Sequence, residues 1–291
     1  MILVVGATGV LGTAICHRLR TTGQDVRALV RPGSPRGQLL RDAGVQIAAG
    51  DLRVRGDVEA ACRGVTSVIS TATAMGATDK SLQLRAIDGD GQRQLVDVAK
   101  ASGVQRYIFI SASPNLRESA PLIRYKRAVE RAIRASGMQW TILQPSCFME
   151  IWLGPALGWD FDRRRASIFG SGVAPVSWVS VADVAEHAVH SLDDPRLANR
   201  DLPLGGAPMP PNEVLAEVER AAGAPFKARR IPRALLASLS PITGWFDEGI
   251  ASGMSLGAQA ARGDVIDSPL QREIGIPLTT VADYARRVVG R

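Results

Sequence analysis

The chain has 291 residues, 46% of them hydrophobic and 22% charged, with no low-complexity stretch, so it buries a large core and is neither a disordered nor a fibrous protein. Its 35 Lys plus Arg against 28 Asp plus Glu give a formal charge of +7. The densest basic stretches, 163–165 and 227–233, are not interleaved with aromatic residues, so no nucleic-acid interface is expected. No apolar run reaches the roughly 18 to 20 residues of a bilayer span. The opening MILVVGATGV carries no basic leader, and a cytoplasmic protein without membrane association is expected. Cys16, Cys62 and Cys147 lie far apart without CxxC spacing, and no cluster of His, Cys and carboxylates has metal-ligand spacing, so neither a disulfide framework nor a metal site is expected.

In chain order, β-branched runs at 2–6, 25–30, 45–49, 66–71, 106–111 and 139–144 read as strands. Segments with helical apolar spacing lie between them, such as Val10, Leu11, Ala14, Ile15 and Leu19, or Leu95, Val96, Val98 and Ala99. Strands alternating with crossover helices predict an α/β fold, a doubly wound parallel Rossmann sheet whose ligand crevice lies beyond the carboxyl ends of the strands. After Pro145 the regularity fails, with helices expected at 181–192 and 212–222. The expected division is a Rossmann domain at 1–145, with contributions from about 170–205, and a smaller C-terminal α/β substrate cap at 146–291.

The first strand runs into Gly6-Ala7-Thr8-Gly9-Val10-Leu11-Gly12 and then a helix. Gly6 allows the tight turn, Gly9 removes a Cβ from the path of a pyrophosphate, and Gly12 lets the helix pack on the strand, while free helix-start N–H groups favour the anion. Where an NAD-binding chain carries a carboxylate after the second strand, this one carries Arg31, followed by Arg36, with no Asp or Glu between residues 26 and 41. Two guanidinium groups suit a 2′-phosphate, so NADP(H) is the expected cofactor. Asp51 and Leu52 follow the third strand, at the adenine. Thr71, Ala72 and Thr73 follow the fourth and line the crevice.

VVGATGVLG, LVRP, AGDL, IFISAS and YKRAVERAIRASG followed by WTILQPSCFME together resemble the NmrA-like branch of the atypical short-chain dehydrogenase/reductase superfamily, over roughly residues 1–190. The resemblance implies NADP(H) at the glycine turn and substrate held between sheet and cap. In the wider superfamily a Tyr-x-x-x-Lys helix supplies the proton donor and a lysine on the nicotinamide ribose. Lys126 resembles that lysine. Four residues earlier stands Leu122, and Tyr125 points about 100° away around the helix. Ser111 and Ser113 lie where the superfamily keeps a substrate-orienting hydroxyl, with Ala112 in the key place in another alignment. Gln144-Pro145 replaces the Arg-Pro of many relatives; Pro145, Ser146, Cys147 and Phe148 are expected against the nicotinamide, Cys147 as inert lining. Asp183 reads as a helix N-terminal charge. His17, His187 and His190 fall within expected helices and suggest no acyl-transfer triad.

Trp152, Trp159, Phe161, Phe169 and Trp178 are five aromatics in 27 residues of a chain that is 5% aromatic, and they predict a flat apolar pocket, with Phe148, Trp152, Trp159, Phe161 and Trp178 against substrate. The leading expectation is an NADPH-dependent, ketoreductase-like enzyme acting on a carbonyl or conjugated double bond of a bulky, apolar, ring-containing small molecule. Lys126, Ser111 and Ser113 carry the chemistry in that expectation, and Lys126, a water or a substrate hydroxyl stands in for the tyrosine. The rival is a non-catalytic NADP(H)-sensing regulator that binds a protein partner, and a third reading is an isomerase using tightly held cofactor.

Overall fold

A computed structural model describes every residue except Thr78, Lys80, Ser81, Leu82, Trp245 and Arg291. The elements of the first half are β1 (Ile2–Val5), α1 (Val10–Thr21), β2 (Val26–Val30), α2 (Pro35–Asp42), β3 (Gln46–Ala49), α3 (Arg55–Cys62), β4 (Ser67–Ser70), a π-helical turn (Arg85–Gly91) that runs into α4 (Gln92–Ala101), β5 (Arg106–Ile110), α5 (Pro121–Arg134) and β6 (Gln139–Pro145). They are followed by α6 (Met149–Trp152), β7 (Arg165–Phe169), β8 (Val176–Ser177), α7 (Val181–His190), β9 (Arg200–Leu204), β10 (Pro208–Met209), α8 (Pro211–Ala222), β11 (Lys227–Ile231), α9 (Arg233–Thr243), α10 (Glu248–Ala260), α11 (Pro269–Ile274) and α12 (Val281–Val289).

The central sheet has the order β3-β2-β1-β4-β5-β6-β9, with β1 parallel to β2 and β4, and β5 parallel to β4 and β6. Every residue of β1 and β5 is buried, as expected where helices cover both faces. Strand order reverses between β1 and β4, and that switch point is where a doubly wound sheet opens its crevice. The register aligns Val5, Ser70 and Phe109 across β1, β4 and β5, so Gly6, Thr71 and Ile110 follow in line at the carboxyl edge. At about 4.8 Å per strand, Ile110 lies roughly 10 Å from the glycine turn.

The seventh strand, β9, falls in a stretch that reads as irregular. Its sequence RDLPL carries two charges and a proline, which a sheet tolerates at an edge, where one side of the strand needs no ladder partner. Buried Arg106 is compensated rather than stranded: its guanidinium donates to the Ser191 carbonyl (3.0 and 2.6 Å) and to Thr141 Oγ1 (2.7 Å), tying β5 and β6 to the end of α7.

Two compact units emerge: Met1–Ser111, Pro121–Leu143 and Val184–Leu202 form the first; Ala112–Ala120, Gln144–Asp183 and Pro203–Arg291 the second. The second has its own core of Met149, Leu153, Trp159, Trp178, Val214, Val218 and Tyr284. Ser180 and Asp183 cap α7 reciprocally: Asp183 N–H donates to Ser180 Oγ (3.0 Å) and Ser180 N–H to the Asp183 carboxylate (3.1 Å). Asp183 also accepts from the Thr279 amide and hydroxyl, so its role extends beyond a helix-end charge. In the same unit β7 and β11 pair in parallel with Lys227 beside Arg165, joining the two densest basic stretches of the sequence.

Candidate functional site

The glycine turn is built as its chemistry demands. Gly6 has φ +87°, and a Cβ there would sit 2.6 Å from Ala72 N and 2.8 Å from Thr71 Oγ1, against the end of β4. A Cβ on Gly12 would stand 2.7 Å from Ala7 Cα and strike the Gly6 carbonyl, so glycine is required for α1 to seat on β1. On Gly9 a Cβ would meet only the Gly6 carbonyl at 3.3 Å, leaving the other side open for a bulky anion. Gly9 and Val10 are exposed, Thr8 and Leu11 are half-buried, and no acidic residue occupies the first turn of α1. The unsatisfied N–H groups there therefore face an unopposed positive helix end, and the cradle fits a dinucleotide pyrophosphate.

Cations surround this turn. Arg36, in the first turn of α2, donates to the Thr8 carbonyl (2.8 Å), so the start of that helix is docked on the glycine turn itself. Arg31, half-exposed at the end of β2, forms an ion pair of 3.2 Å with Asp79. That carboxylate comes from the loop after β4, outside the interval that the sequence reading searched. Asp51 is gripped by Arg53 at 2.9 and 2.7 Å, and this hydrogen-bonded pairing holds its carboxyl below the usual carboxylate range. Arg53 is a third cation near Arg31 and Asp79 that sequence reasoning overlooked, although it stands two residues after Asp51. Leu52 is buried, and its carbonyl accepts from Gln94 Nε2 (3.0 Å).

Thr71, Ala72 and Thr73 follow β4 with Thr71 and Ala72 half-buried and Thr73 exposed. Two buried side chains hold this loop from behind. Gln92 donates to the Ala72 carbonyl (2.8 Å) and accepts from Ser70 Oγ (2.7 Å). Asp88, one turn earlier on the π turn, accepts from the Ala74 amide (2.8 Å). Its segment, IDGDG, carries no strand or helix signal in local pattern, and Asp88 is not among the residues expected at the site.

Lys126 is buried on α5 with Nζ donating to the Ile110 carbonyl (2.9 Å) and lying 5.2 Å from the Phe109 ring centre. Burial lowers its pKa, opposed chiefly by the charge of Asp88 and then by Glu130. Leu122 is buried at 6% exposure in the tyrosine's position. The Tyr125 ring packs on the π turn, so close that a Cβ on Gly89 would meet it at 2.9 Å. It does not take over the missing place.

The hydroxyls expected to steer substrate are bonded elsewhere. Ser111 Oγ donates to the buried Glu130 carboxylate, which also receives Arg127 and Arg134. Ser113 is fully buried in the second unit and donates to Asp264 (2.6 Å). The same carboxylate accepts from Ser146 Oγ (2.6 Å) and Asn115 Nδ2 (2.8 Å). Asp264, 151 residues from Ser113, leaves no trace in local pattern.

Pro145, Ser146, Cys147 and Phe148 all belong to the second unit, with Phe148 half-buried. Burial pushes the Cys147 thiol well above its ordinary range, while Cys16 and Cys62 rise to about 12 and about 11 for the same reason. None of the three is a thiolate nucleophile at neutral pH. Trp159 and Trp178 are buried at 2% and 5% exposure in the core of the second unit; Trp152 and Phe161 pack against that core and stay partly open. Trp152 meets Phe169 edge to face at 5.9 Å, and Trp159 lies 6.2 Å from Phe161.

The family model for the NmrA-like family matches residues 1–276. The chain is 30% identical over 295 residues to an NAD(P)H azoreductase of Xenophilus azovorans, covering 98% of this chain and 97% of the relative. It is 27% identical over 310 residues to the photosystem II assembly factor Ycf39 of Synechocystis sp., covering 100% and 91%. Among solved structures, the NADPH-dependent quinone oxidoreductase QOR2 of Escherichia coli superposes with a TM-score of 0.76 at 21% identity over 99% of both chains. The Citrobacter sp. triphenylmethane reductase complexed with NADP(H) gives 0.75 at 20%, again over 99% of both. At those identities the structures attest the fold, and the relatives include both oxidoreductases and an assembly factor. With the model covering nearly the whole chain and the azoreductase aligned end to end, this protein belongs to the NmrA-like family.

Proposed function

We propose that the chain binds NADPH along the carboxyl edge of the first unit's sheet and reduces a carbonyl or conjugated double bond of an apolar, ring-bearing compound, with a quinone as the test case. The observation that carries this reading is Lys126. A titratable amine is buried at the carboxyl end of β5, in line with the glycine turn, with one of its three N–H groups spent on Ile110 and the tyrosine's place filled by Leu122.

When bound, NADPH supplies the hydride. The chain's residues do the rest: the glycine turn and helix end hold the pyrophosphate, and Arg31, Arg36 and Arg53 favour a 2′-phosphate. Lys126 gives a proton to the oxygen that gains charge as the substrate is reduced. Ser111 and Ser113 donate inside the fold, so the proposal assigns that proton to Lys126. Phe148, Trp152 and Phe161, the partly open rings, are assigned to substrate, with Trp159 and Trp178 as the core behind them. The names of the azoreductase and quinone oxidoreductase relatives support a flat, electron-poor acceptor.

Loss of NADPH absorbance is the measurement, with quinones, azo dyes and conjugated ketones as acceptors. Turnover is expected with at least one, and Lys126→Met is expected to lower kcat/KM by about 100-fold or more, the ordinary worth of a positioned acid. No NADPH consumption with any acceptor would sink the reductase reading. A second reading, an NADP(H)-sensing regulator without turnover, draws on Leu122 and on the committed serine hydroxyls; it predicts tight NADPH binding beside that inactivity.

A further inference from the structure

In a chain with 35 basic residues, lysine occurs only at positions 80, 100, 126 and 227; the other 31 are arginine. Of the described lysines, Lys126 is the buried one. A guanidinium stays charged in any surroundings, whereas an amine taken out of water tends to shed its proton. A lysine that is to act as an acid in a buried site therefore needs a nearby anion.

Asp88 is that anion. It is 1% exposed, and one carboxylate oxygen accepts from the Ala74 amide at 2.8 Å. The other, Oδ1, is buried with no hydrogen-bond partner. An unpaired carboxylate oxygen at that depth costs free energy, and native structures keep such groups where another role offsets the cost. The residue stands on a π-helical turn, an irregularity that recurs at functional sites, and that turn packs on α5, where the Tyr125 ring next to Lys126 lies against Gly89. Burial drives Asp88 and Lys126 each toward its neutral form, and in both cases the charge of the other is the largest opposing influence. The remaining charges facing Lys126 are Glu130, one turn along α5, and Arg127 beside it. Glu130 also favours the charged amine but is shared among Ser111, Arg127 and Arg134, and Asp88 is the larger of the two influences.

We propose that Asp88 is a positioning residue that keeps the Lys126 amine protonated inside the folded site, and thereby lets the lysine replace the absent tyrosine as proton source. This inference rests on the reductase reading above. In the balanced step, a hydride passes from NADPH to the substrate carbon and a proton passes from Lys126 Nζ to the substrate oxygen. The products are NADP⁺, the reduced substrate and a neutral Lys126 amine, with the Asp88 carboxylate still charged. The amine then takes one proton from water, and the same carboxylate makes that recharging favourable. Asp88 also anchors the loop after β4 through the Ala74 amide, so the charge that supports Lys126 and the crevice wall share one side chain.

Four lysines make a sparse spectrum, and the test is a pH titration of the full chain carrying ¹³Cε-lysine. The Lys126 signal is identified by its loss in Lys126→Arg. In the unsubstituted protein Lys126 is expected to show the ammonium shift at pH 7; a neutral amine there overturns the proposal without any variant. In Asp88→Asn, where the amide oxygen still accepts from Ala74, the Lys126 midpoint is expected to fall by one pH unit or more. An unmoved midpoint in folded Asp88→Asn protein overturns the proposal as well. Since protonated Lys126 is the active form, the alkaline fall of kcat/KM should move to lower pH by the same amount, a displacement that a purely structural role would not produce. The titration needs neither cofactor nor turnover, so an inactive protein whose Lys126 charge depends on Asp88 would refute the reductase reading alone.

Discussion

Arg31 shows how far a single side chain can be read from its neighbours in sequence. Its place at the end of β2 follows from the strand pattern, and its preference for a 2′-phosphate follows from guanidinium chemistry. The Asp79 carboxylate at 3.2 Å comes from a loop 48 residues later and competes for the same group. Arg31→Glu is expected to weaken NADPH binding by about 10- to 100-fold, the worth of a charged hydrogen bond, with NADH binding changed far less. Asp79→Asn should act the other way and tighten NADPH by about two- to fivefold, since an exposed ion pair is worth at most about 1 kcal/mol. Titration of cofactor fluorescence measures both; equal losses for the two cofactors in Arg31→Glu would remove the phosphate role. Ser111 carries the opposite lesson. Its position after β5 was legible, while its commitment to Glu130, 19 residues on, required the fold.

At the scale of elements, the six strands read from β-branched runs are all present, because a strand covered on both faces must be apolar throughout and such runs stand out. What escaped were the strands after β6, among them β9, an edge strand with charges and a proline, and the π turn. The glycines give an element-level prediction. Gly12 lies where α1 meets β1, and Gly12→Ala forces a Cβ into the Gly6 carbonyl and the Ala7 backbone; overpacking of this kind costs about 1–3 kcal/mol. Gly56, in α3, has open space around its would-be Cβ, so Gly56→Ala should stabilise by about 0.5–1 kcal/mol through helix propensity. Denaturant unfolding of the two variants is the check, and a neutral Gly12→Ala would contradict the close helix–strand seat.

At the scale of the whole molecule, the second unit depends on a polar knot as well as its aromatic core. Asp264 gathers Ser113, Asn115 and Ser146, bringing two distant stretches of chain, 113–115 and 146, to one buried carboxylate. Asp264→Ala leaves those donors unsatisfied and is expected to cost about 2 kcal/mol or more, whereas Asp264→Asn keeps an acceptor and should cost less. Thermal unfolding of the pair would show the order, and equal stability of Asp264→Ala and the unsubstituted chain would dismiss the knot as incidental. By itself the sequence determined the strand-and-helix alternation, the glycine turn, the basic side chains after β2 and the absence of a tyrosine at position 122, because each is a local pattern spanning at most one strand–helix unit. Only the tertiary structure decided that Asp79 meets Arg31, that the π turn carrying Asp88 packs on the helix carrying Lys126, that Ser113 answers to Asp264, and that Trp159 and Trp178 are core. Those partnerships join residues far apart in the chain, and sheet order and helix packing, not spacing, bring their charges and rings together.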